Sequence, residues 1–442
     1  MGRKKVLILG AAGRDFHNFL TYFKENDHYR VVAFTATQIP DIDEKTFPAS
    51  MAGPLYEEGI PIVSESQMEQ LIREHDVDEC VLAYSDLPYN RVMSLASRVN
   101  AAGADFKLMG AKSTMISSEK PLISICATRT GCGKSQTSRT VINILRSLGK
   151  RAVAIRHPMP YGDLQAMEVQ RFETYDDLDK HDCTIEEREE YEPHIDNNTV
   201  VFAGVDYGKI LREAEKEADI IIWDGGNNDF SFYHSDLYIT VLDPLRAGHE
   251  LTYYPGETSL RMADVVIINK VDTAEDLDVK RVRENVQRIM PNAAIIEAES
   301  PVTLDDISAI KGKRVLVVDD GPTLTHGGMA YGAGFVGAMK AGAGEIIDPR
   351  EFATGSIKKL FTKFPHLNKV LPAMGYSVEQ RMELEDTINA SDADIVVSGT
   401  PIDLRRVIDP NKRVVRVRYE LKPVKGPKLE DILAKFIDEN CT

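Results

Sequence analysis

The 442-residue chain has little of what marks secreted, membrane-embedded or nucleic-acid-binding proteins. Its five cysteines (Cys80, Cys126, Cys132, Cys183 and Cys441) form no C-x-x-C pair, which argues against a disulfide framework or a zinc knuckle and fits a reducing cytoplasm. The longest apolar runs, such as Ile220–Trp223 and Val265–Ile268, fall far short of the roughly 20 residues a membrane span needs. The start, Met1-Gly-Arg-Lys-Lys5 followed by Val6–Leu9, imitates a short signal peptide. No A-x-A-like cleavage site follows, and Val6 spoils a myristoylation signal at Gly2. A soluble, cytoplasmic protein without a membrane partner is therefore expected. Positive charge is also scarce: 53 Lys and Arg against 69 Asp and Glu leave a net charge of −16, which argues against broad nucleic-acid binding. An anionic substrate stays possible, because charges act over only about 8 Å at physiological salt and a few local cations decide what a pocket holds. Internal repeats and low-complexity tracts are absent from the sequence.

What is present is ordinary for a globular enzyme, 43% apolar and 28% charged residues, at a length of about three domains of roughly 150 residues. Short apolar runs alternate with helical patterns, the mark of βαβ units on parallel sheets. Strands are expected at 5–9, 29–34 and 79–83, with helices at 15–24, 66–75 and 90–101. A second series begins at 122–126 and continues through strands at 152–156, 220–223, 237–242, 265–269 and 293–297. A third runs from 314–318 through 395–398 and 413–417 to the amphipathic stretch 429–437. The fold class is thus α/β: a Rossmann-like N-terminal domain (1–118), a central P-loop NTPase parallel sheet flanked by helices (119–310), and a smaller C-terminal α/β segment (311–442). The acidic stretch Asp176 to Glu192 is most simply a solvated helix face or a mobile loop.

The strongest motif is Ile123-Ser-Ile-Cys-Ala-Thr-Arg-Thr-Gly-Cys-Gly-Lys-Ser135, an apolar strand feeding a glycine-bearing turn that opens onto a helix at Gln136. In such a loop, successive N–H groups and a helix N-terminus bind phosphate. The expected nucleotide contacts are Thr128, Arg129, Thr130, Gly131, Cys132, Gly133, Lys134, Ser135 and Gln136. Lys134 would meet the outer phosphates and Ser135 would offer its hydroxyl to Mg²⁺. The spacing departs from G-x-x-x-x-G-K, because position 128 is Thr and position 127 is Ala. A second motif, Ala218-Asp-Ile-Ile-Ile-Trp-Asp-Gly-Gly226, reads as a Walker B strand whose Asp224 is the other expected Mg²⁺ ligand. Asn227, Asn228 and Asp229 extend it, either orienting water or substrate or simply making a turn.

Val265-Val-Ile-Ile-Asn-Lys-Val-Asp272 matches N-K-x-D. A carboxylate at Asp272 can accept from both N1–H and the 2-amino group of guanine, donors that adenine lacks. Asn269 can bond the purine's other edge and the Lys270 stem can cover the ring, so GTP is favoured over ATP. Pro301 to Asp305 falls where a base-contacting loop would lie. Strand end Ala154–His157 should open on the P-loop face, since ligands gather at the carboxyl ends of parallel strands. Arg156 and His157 become candidates to hold a phosphate or carboxylate, alongside the alternative of an edge Arg beside a proline turn. Asp163 is a further metal-ligand candidate, and the segments at 243–249 and 254–257 supply Arg246, His249 and Glu257. Two other glycine-bearing turns stand apart. Asp319–Gly334 suits an anion nest completed by Thr323, Thr325 and His326, or else a glycine-rich helix packed on a sheet. Gly10–Gly13 resembles part of a dinucleotide fingerprint without its third glycine, leaving Arg14, Asp15 and His17 to face a cleft.

The longer loop form, Thr128-x-Thr130-Gly-x-Gly-Lys-Ser135, resembles that of dethiobiotin synthetase and its signal-recognition/MinD-like relatives. Taken in order, the motifs across essentially the whole chain resemble the predicted-GTPase family of cyclic 2,3-diphosphoglycerate synthetase-like proteins. That resemblance implies an NTP-dependent synthetase with Mg²⁺ and a GTP or ATP co-substrate. It would close an intramolecular phosphoanhydride in 2,3-diphosphoglycerate and release nucleoside diphosphate and phosphate. A small phosphorylated or carboxylated substrate would be clamped by Arg156, His157, Arg246, His249 and His326, with Lys134 and Asp224 at the catalytic centre. Arg129 would reach a γ-phosphate or a partner subunit. By analogy with this P-loop class, the protein is expected to be a homodimer. The rival reading is a regulatory or chaperone-type GTPase switch acting on a protein partner.

Overall fold

The computed structural model describes residues 2–37, 45–157, 162–226 and 229–441. Among them the α/β architecture appears as three principal sheets. The first has the strand order Thr46–Phe47, Ile60–Ser64, Tyr29–Ala36, Lys4–Leu9, Glu79–Leu82, Asp105–Leu108, all parallel but for the first pair. The second, central sheet orders Val169–Phe172, Val201–Gly204, Ala152–Arg156, Ile220–Asp224, Leu122–Ala127, Leu237–Leu242, Val265–Ile268, Ala294–Glu299 and Lys422–Lys425. Only its two edge strands run antiparallel to their neighbours. Helices cover both faces, so the inner strands read as continuous apolar runs, and Leu122–Ala127, Ile220–Asp224 and Leu237–Leu242 are buried throughout.

The third sheet places Arg314–Asp320 beside Ile395–Ser398, which pairs in turn with Arg413–Tyr419. Two segments cross the boundaries expected at 310 and 311. Val302–Leu304 pairs antiparallel with Arg413–Tyr419 in the third sheet. Lys422–Lys425 instead pairs with Ala294–Glu299 of the central sheet. The closing helix Leu429–Asn440 then buries Leu429, Leu433 and Phe436 in the core shared with the P-loop helix. The chain therefore leaves the central layer near 300 and returns to it near 420.

The acidic stretch corrects the expectation of a solvated face or mobile loop. Its first part, helix Tyr175–Lys180, is mostly exposed, but helix Ile185–Asp196 is buried along nearly its whole length. A capping box starts it: Glu187 N–H donates to the Thr184 hydroxyl at 3.2 Å, and Thr184 N–H donates to the Glu187 carboxylate at 2.8 Å. Burial is tolerated because the carboxylates find donors on neighbouring layers. Gly375 N–H donates to Glu186 (2.9 Å), the Thr400 hydroxyl to Glu189 (2.6 Å) and Asp403 N–H to Glu192 (3.2 Å). The helix is a polar wedge between the central and third sheets.

Candidate nucleotide-binding site

The P-loop strand Leu122–Ala127 lies mid-sheet between Ile220–Asp224 and Leu237–Leu242, so the loop that follows stands at the carboxyl edge with the Walker B turn beside it. Helix Lys134–Ser147 starts directly from the loop. Gly131 (φ +80°) and Gly133 (φ +105°) take left-handed backbone, and a Cβ on Gly133 would strike the Asn269 amide at 2.1 Å. The N–H groups of Gly131, Gly133, Lys134 and Ser135 have no acceptor among the described residues. The Ser135 hydroxyl likewise makes no hydrogen bond there. Loop and helix N-terminus thus present donors suited to a polyphosphate.

Asp224 is the charged hub behind the loop. Wholly buried, its carboxylate meets Lys134 Nζ at 2.7 Å, the Ser138 hydroxyl at 2.9 Å, His194 Nε2 at 2.8 Å and the Arg156 guanidinium at 3.0 Å. Burial opposes its ionisation, but Arg156, Lys134 and His194 overcome that and hold it well below the usual carboxylate range. Burial and the nearby Arg156 bring Lys134 down to about 8 against the pull of Asp224. Arg156 also donates to the Asp224 and Gly225 carbonyls at 3.0 Å and pairs with Glu190. Polyphosphate fits this ensemble, because Lys134 can exchange Asp224 for an outer phosphate. Mg²⁺ would be held by Ser135, with Asp224 joining as Lys134 leaves it.

The N-K-x-D segment braces the loop from the other side. Asn269 donates its side-chain amide to the Cys132 carbonyl (2.8 Å), and Lys270 donates to the Gly131 carbonyl (2.6 Å) and Asp243 (2.9 Å). Asp272 is exposed, with one oxygen accepting Ser300 N–H at 2.9 Å. Gln136 is buried and accepts the Ser300 hydroxyl at 3.3 Å.

Several expected site residues have partners from other parts of the chain, Arg129, Thr130 and Thr323 among them while also lining the cleft described below. Arg129, rather than standing free for a γ-phosphate, bonds Asp86 of the first layer (2.5 Å), the Gly327 carbonyl of the third (3.2 Å) and His249. Thr130 bonds the same Asp86 at 2.9 Å through its hydroxyl. Cys132 is buried against Arg246, which also pairs with Asp243 and donates to the Gly327 carbonyl at 2.8 Å. Thr128 is buried, and its carbonyl backs onto Gly256. His157 packs between Gly13 and Gly226 beside Phe232, outside the cleft walls described below. His326 is exposed, while Thr323 donates to Asp320 and lies over Gly131. Asp163 is exposed and caps its own turn, and Glu257 pairs with Arg261 at 2.6 Å. Asn227 and Asn228 lie outside the described residues, whereas Asp229 is buried and paired with Arg14 at 2.5 Å.

The two other glycine turns hold the chain's own carboxylates. Asp15 accepts Gly13 N–H (3.0 Å) and Phe16 N–H (2.7 Å). Asp319 accepts the N–H groups of Gly332 (2.9 Å), Gly334 (2.6 Å) and Phe335 (3.3 Å). Burial raises each to about 6 despite those bonds.

A cleft runs between the P-loop and the carboxyl ends of the third sheet's strands. Gly131, Lys134, Ser135, Arg139, Arg156 and Lys270 line one wall, and Asp320, Thr323, Gly399 and Tyr419 the other, with Glu189 and Glu190 of the acidic helix between them. Sequence reasoning missed Glu189, Glu190, His194, Ser138, Arg139 and Asp320. Ser138 and Arg139 sit one turn into the P-loop helix, a spacing that could have flagged them. The acidic helix carried no signal distinguishing its buried carboxylates from solvated ones.

The fold and the loop together define a nucleotide-binding protein of the P-loop NTPase type. The family described as CobW/HypB/UreG, nucleotide-binding domain, matches residues 216–297, which hold the Walker B strand and the N-K-x-D segment. The arginine synthetase ArcE of Thermococcus kodakarensis is 62% identical over 439 residues, 99% of this chain and 98% of that protein. The chain belongs to the family of that synthetase. The cyclic 2,3-diphosphoglycerate synthetases, to which the motif order pointed, are more distant: the Thermococcus sibiricus protein is 25% identical over 55% of this chain and 59% of its own length. Among solved structures, the ATP complex of "apo" form LpxK from Aquifex aeolicus has a TM-score of 0.43 at 13% identity, covering 74% of this chain and 90% of that one. Among the described residues no helix is long and apolar enough to cross a membrane.

Proposed function

We propose that this protein is a nucleoside-triphosphate-dependent synthetase that forms arginine, with GTP favoured over ATP. The observation that carries the reading is the open P-loop donor set facing carboxyl-bearing walls across one cleft, in a chain so close to an arginine synthetase along its whole length. A polyanion such as 2,3-diphosphoglycerate would meet Glu189, Glu190 and Asp320 there, whereas a substrate bearing nitrogen donors would be welcomed.

Building a guanidinium from a ureido group replaces one oxygen by nitrogen, and the oxygen needs activation to leave. In the proposed reaction the ureido oxygen attacks the γ-phosphorus, a P–O bond forms, the bond to the β-phosphate breaks, and nucleoside diphosphate departs. Ammonia then attacks the ureido carbon, the C–O bond breaks, and phosphate leaves while the nitrogen sheds a proton. Lys134 and the loop N–H groups hold the phosphates and receive the charge that develops on them. Mg²⁺ bound with the nucleotide would supply further neutralisation of the phosphate oxygens. Arg139 makes no ion pair among the described residues and lines the cleft, which suits it to the substrate's carboxylate. Asp272, exposed beside the loop, would select guanine.

Phosphate release with GTP and with ATP, measured against a ureido amino acid plus ammonium and against 2,3-diphosphoglycerate, tests the reading. Arginine formed in step with phosphate supports it. Stimulation by 2,3-diphosphoglycerate alone would replace it. The match to the CobW/HypB/UreG nucleotide-binding domain favours a second reading, a GTPase acting on a protein partner, to which the absence of stimulation by any small molecule would transfer the weight. Homodimer formation is part of the proposal, and light scattering of the purified chain checks it.

A further inference from the structure

Within the cleft, Glu189 is anomalous. It is 4% exposed, one carboxylate oxygen accepts the Thr400 hydroxyl at 2.6 Å, and the other, fully buried, has no donor among the described residues. Its neighbour is another carboxyl group, Asp320, which accepts Thr323 N–H at 3.1 Å and the Thr323 hydroxyl. Both residues line the cleft opposite the P-loop. Burial, reinforced by Asp320, pushes Glu189 well above the usual carboxylate range. Arg156, whose charge acts on Asp320, is already committed to Asp224 and Glu190. A phosphate would be repelled. An N–H-bearing cation, however, brings both the charge and the directed donors that two facing carboxyl groups lack.

We propose that Glu189 and Asp320 form the seat of the substrate's nitrogen cation, taking either the guanidinium of arginine or the ammonium that supplies its last nitrogen. The inference rests on the arginine-forming reading for the identity of the cation, and on cleft geometry for its position. It also gives the acidic helix a function: the helix carries a carboxyl group into the same cavity as the phosphate cradle, where a seated ammonium gives a proton to a carboxylate of the pair and the ammonia formed meets the activated carbon.

The test uses the full chain and its Glu189→Gln and Asp320→Asn variants, titrated by calorimetry with L-arginine, ammonium chloride and magnesium–nucleotide, together with steady-state kinetics. Arginine affinity at least tenfold weaker, or an ammonium KM at least tenfold higher, with nucleotide affinity within twofold of wild type, supports the proposal. Loss in the arginine titration assigns the seat to the guanidinium, and loss confined to the ammonium KM assigns it to the nitrogen donor. Nucleotide affinity falling in parallel, or neither cation responding, overturns it. Because Glu189 is buried, Thr400→Val serves as a second variant that removes a donor to Glu189. It should weaken the same cation by about threefold at unchanged nucleotide affinity, and no change there overturns the proposal if the other variants fail to fold. A wild-type chain that makes arginine while the variants behave normally sinks this inference alone. One that makes no arginine yet binds either cation through Glu189 sinks only the reading of the reaction.

Discussion

The turn at Gly10–Gly13 and the loop at 128–133 both follow a buried apolar strand, both carry spaced glycines, and both lead into a helix. Their N–H groups serve different anions. In the first turn Asp15, two residues past the last glycine, folds back onto the donors. At 332–335 the same job falls to Asp319, at the end of the preceding strand. The P-loop instead leads into Lys134, and although Asp86 accepts Thr130 N–H at 3.4 Å, the N–H groups of Gly131, Gly133, Lys134 and Ser135 stay open among the described residues. The difference teaches that a glycine nest is a binding site only if its own chain supplies no acceptor. Where an internal carboxylate fills it, the nest becomes a joint, and Arg14 and His17 beside the first one dock that layer onto Asp229, Phe230, Phe232 and Thr114 of the adjoining structure.

Four measurements sharpen or break this contrast. The largest effect is expected at the open nest. Lys134→Ala should lower nucleotide-dependent phosphate release by about 10³-fold, the scale of losing one preorganised donor to a transferring phosphoryl group. Its melting temperature should move little, because Asp224 keeps Arg156, Ser138 and His194. Comparable turnover in the variant would mean the cradle is not where phosphate chemistry occurs. Next, Asp224→Asn should destabilise the protein by about 3–5 kcal/mol, since Lys134 would be left buried without its counter-charge and Arg156 with Glu190 alone. Chemical denaturation reads this directly.

The filled nests predict a pH signature. Asp15 and Asp319 are each raised to about 6, so the folded state binds their protons more tightly than the unfolded chain, where a carboxyl near 3.8 is expected. Each therefore adds stability that is complete below about 4 and is lost as pH rises through about 6, amounting to roughly 3 kcal/mol if the whole shift is realised. Relative to Asp319→Asn or Asp15→Asn, the wild type should gain unfolding free energy as pH falls across that window. Parallel curves would show that these carboxylates are not held as described. The smallest effect is expected at the base. Asp272→Ala should cost GTP about tenfold in affinity, the worth of a hydrogen bond to a charged group, and leave ATP nearly unchanged. Equal losses for both nucleotides would remove Asp272 from base selection.

Much of the site was legible because its signals are local. The strand before Thr128, the Gly-Lys-Ser turn and the helix after it are contiguous, and the Asp224 and Asn269–Asp272 segments each end a strand that the hydrophobic run announces. Their mutual contacts follow from the parallel order of those strands. Arg156 was legible in the same way. His157, the first residue after that strand, instead packs against Gly13 and Gly226, a placement set by the first layer and not by the strand pattern. The acidic helix failed the same approach. Glu186, Glu189 and Glu192 look like a solvated face in sequence, and the donors that let them be buried are Gly375, Thr400 and Asp403, about two hundred residues away. The partners of Arg129 were illegible for a similar reason, since Asp86 and Gly327 come from two other layers.

The amino-acid order alone determined that this chain would make parallel α/β layers and would bear one strand–loop–helix able to grip a polyphosphate, because hydrophobic period and backbone freedom act over a few neighbouring residues. Only the tertiary structure decided which glycine turns are already filled, that residues 422–440 return to the central layer, and that an acidic helix forms a wall of the cleft. Those outcomes depend on charge and hydrogen-bond partners brought together across hundreds of residues, where burial turns a carboxylate from a solubilising group into one that must be paired or hydrogen-bonded.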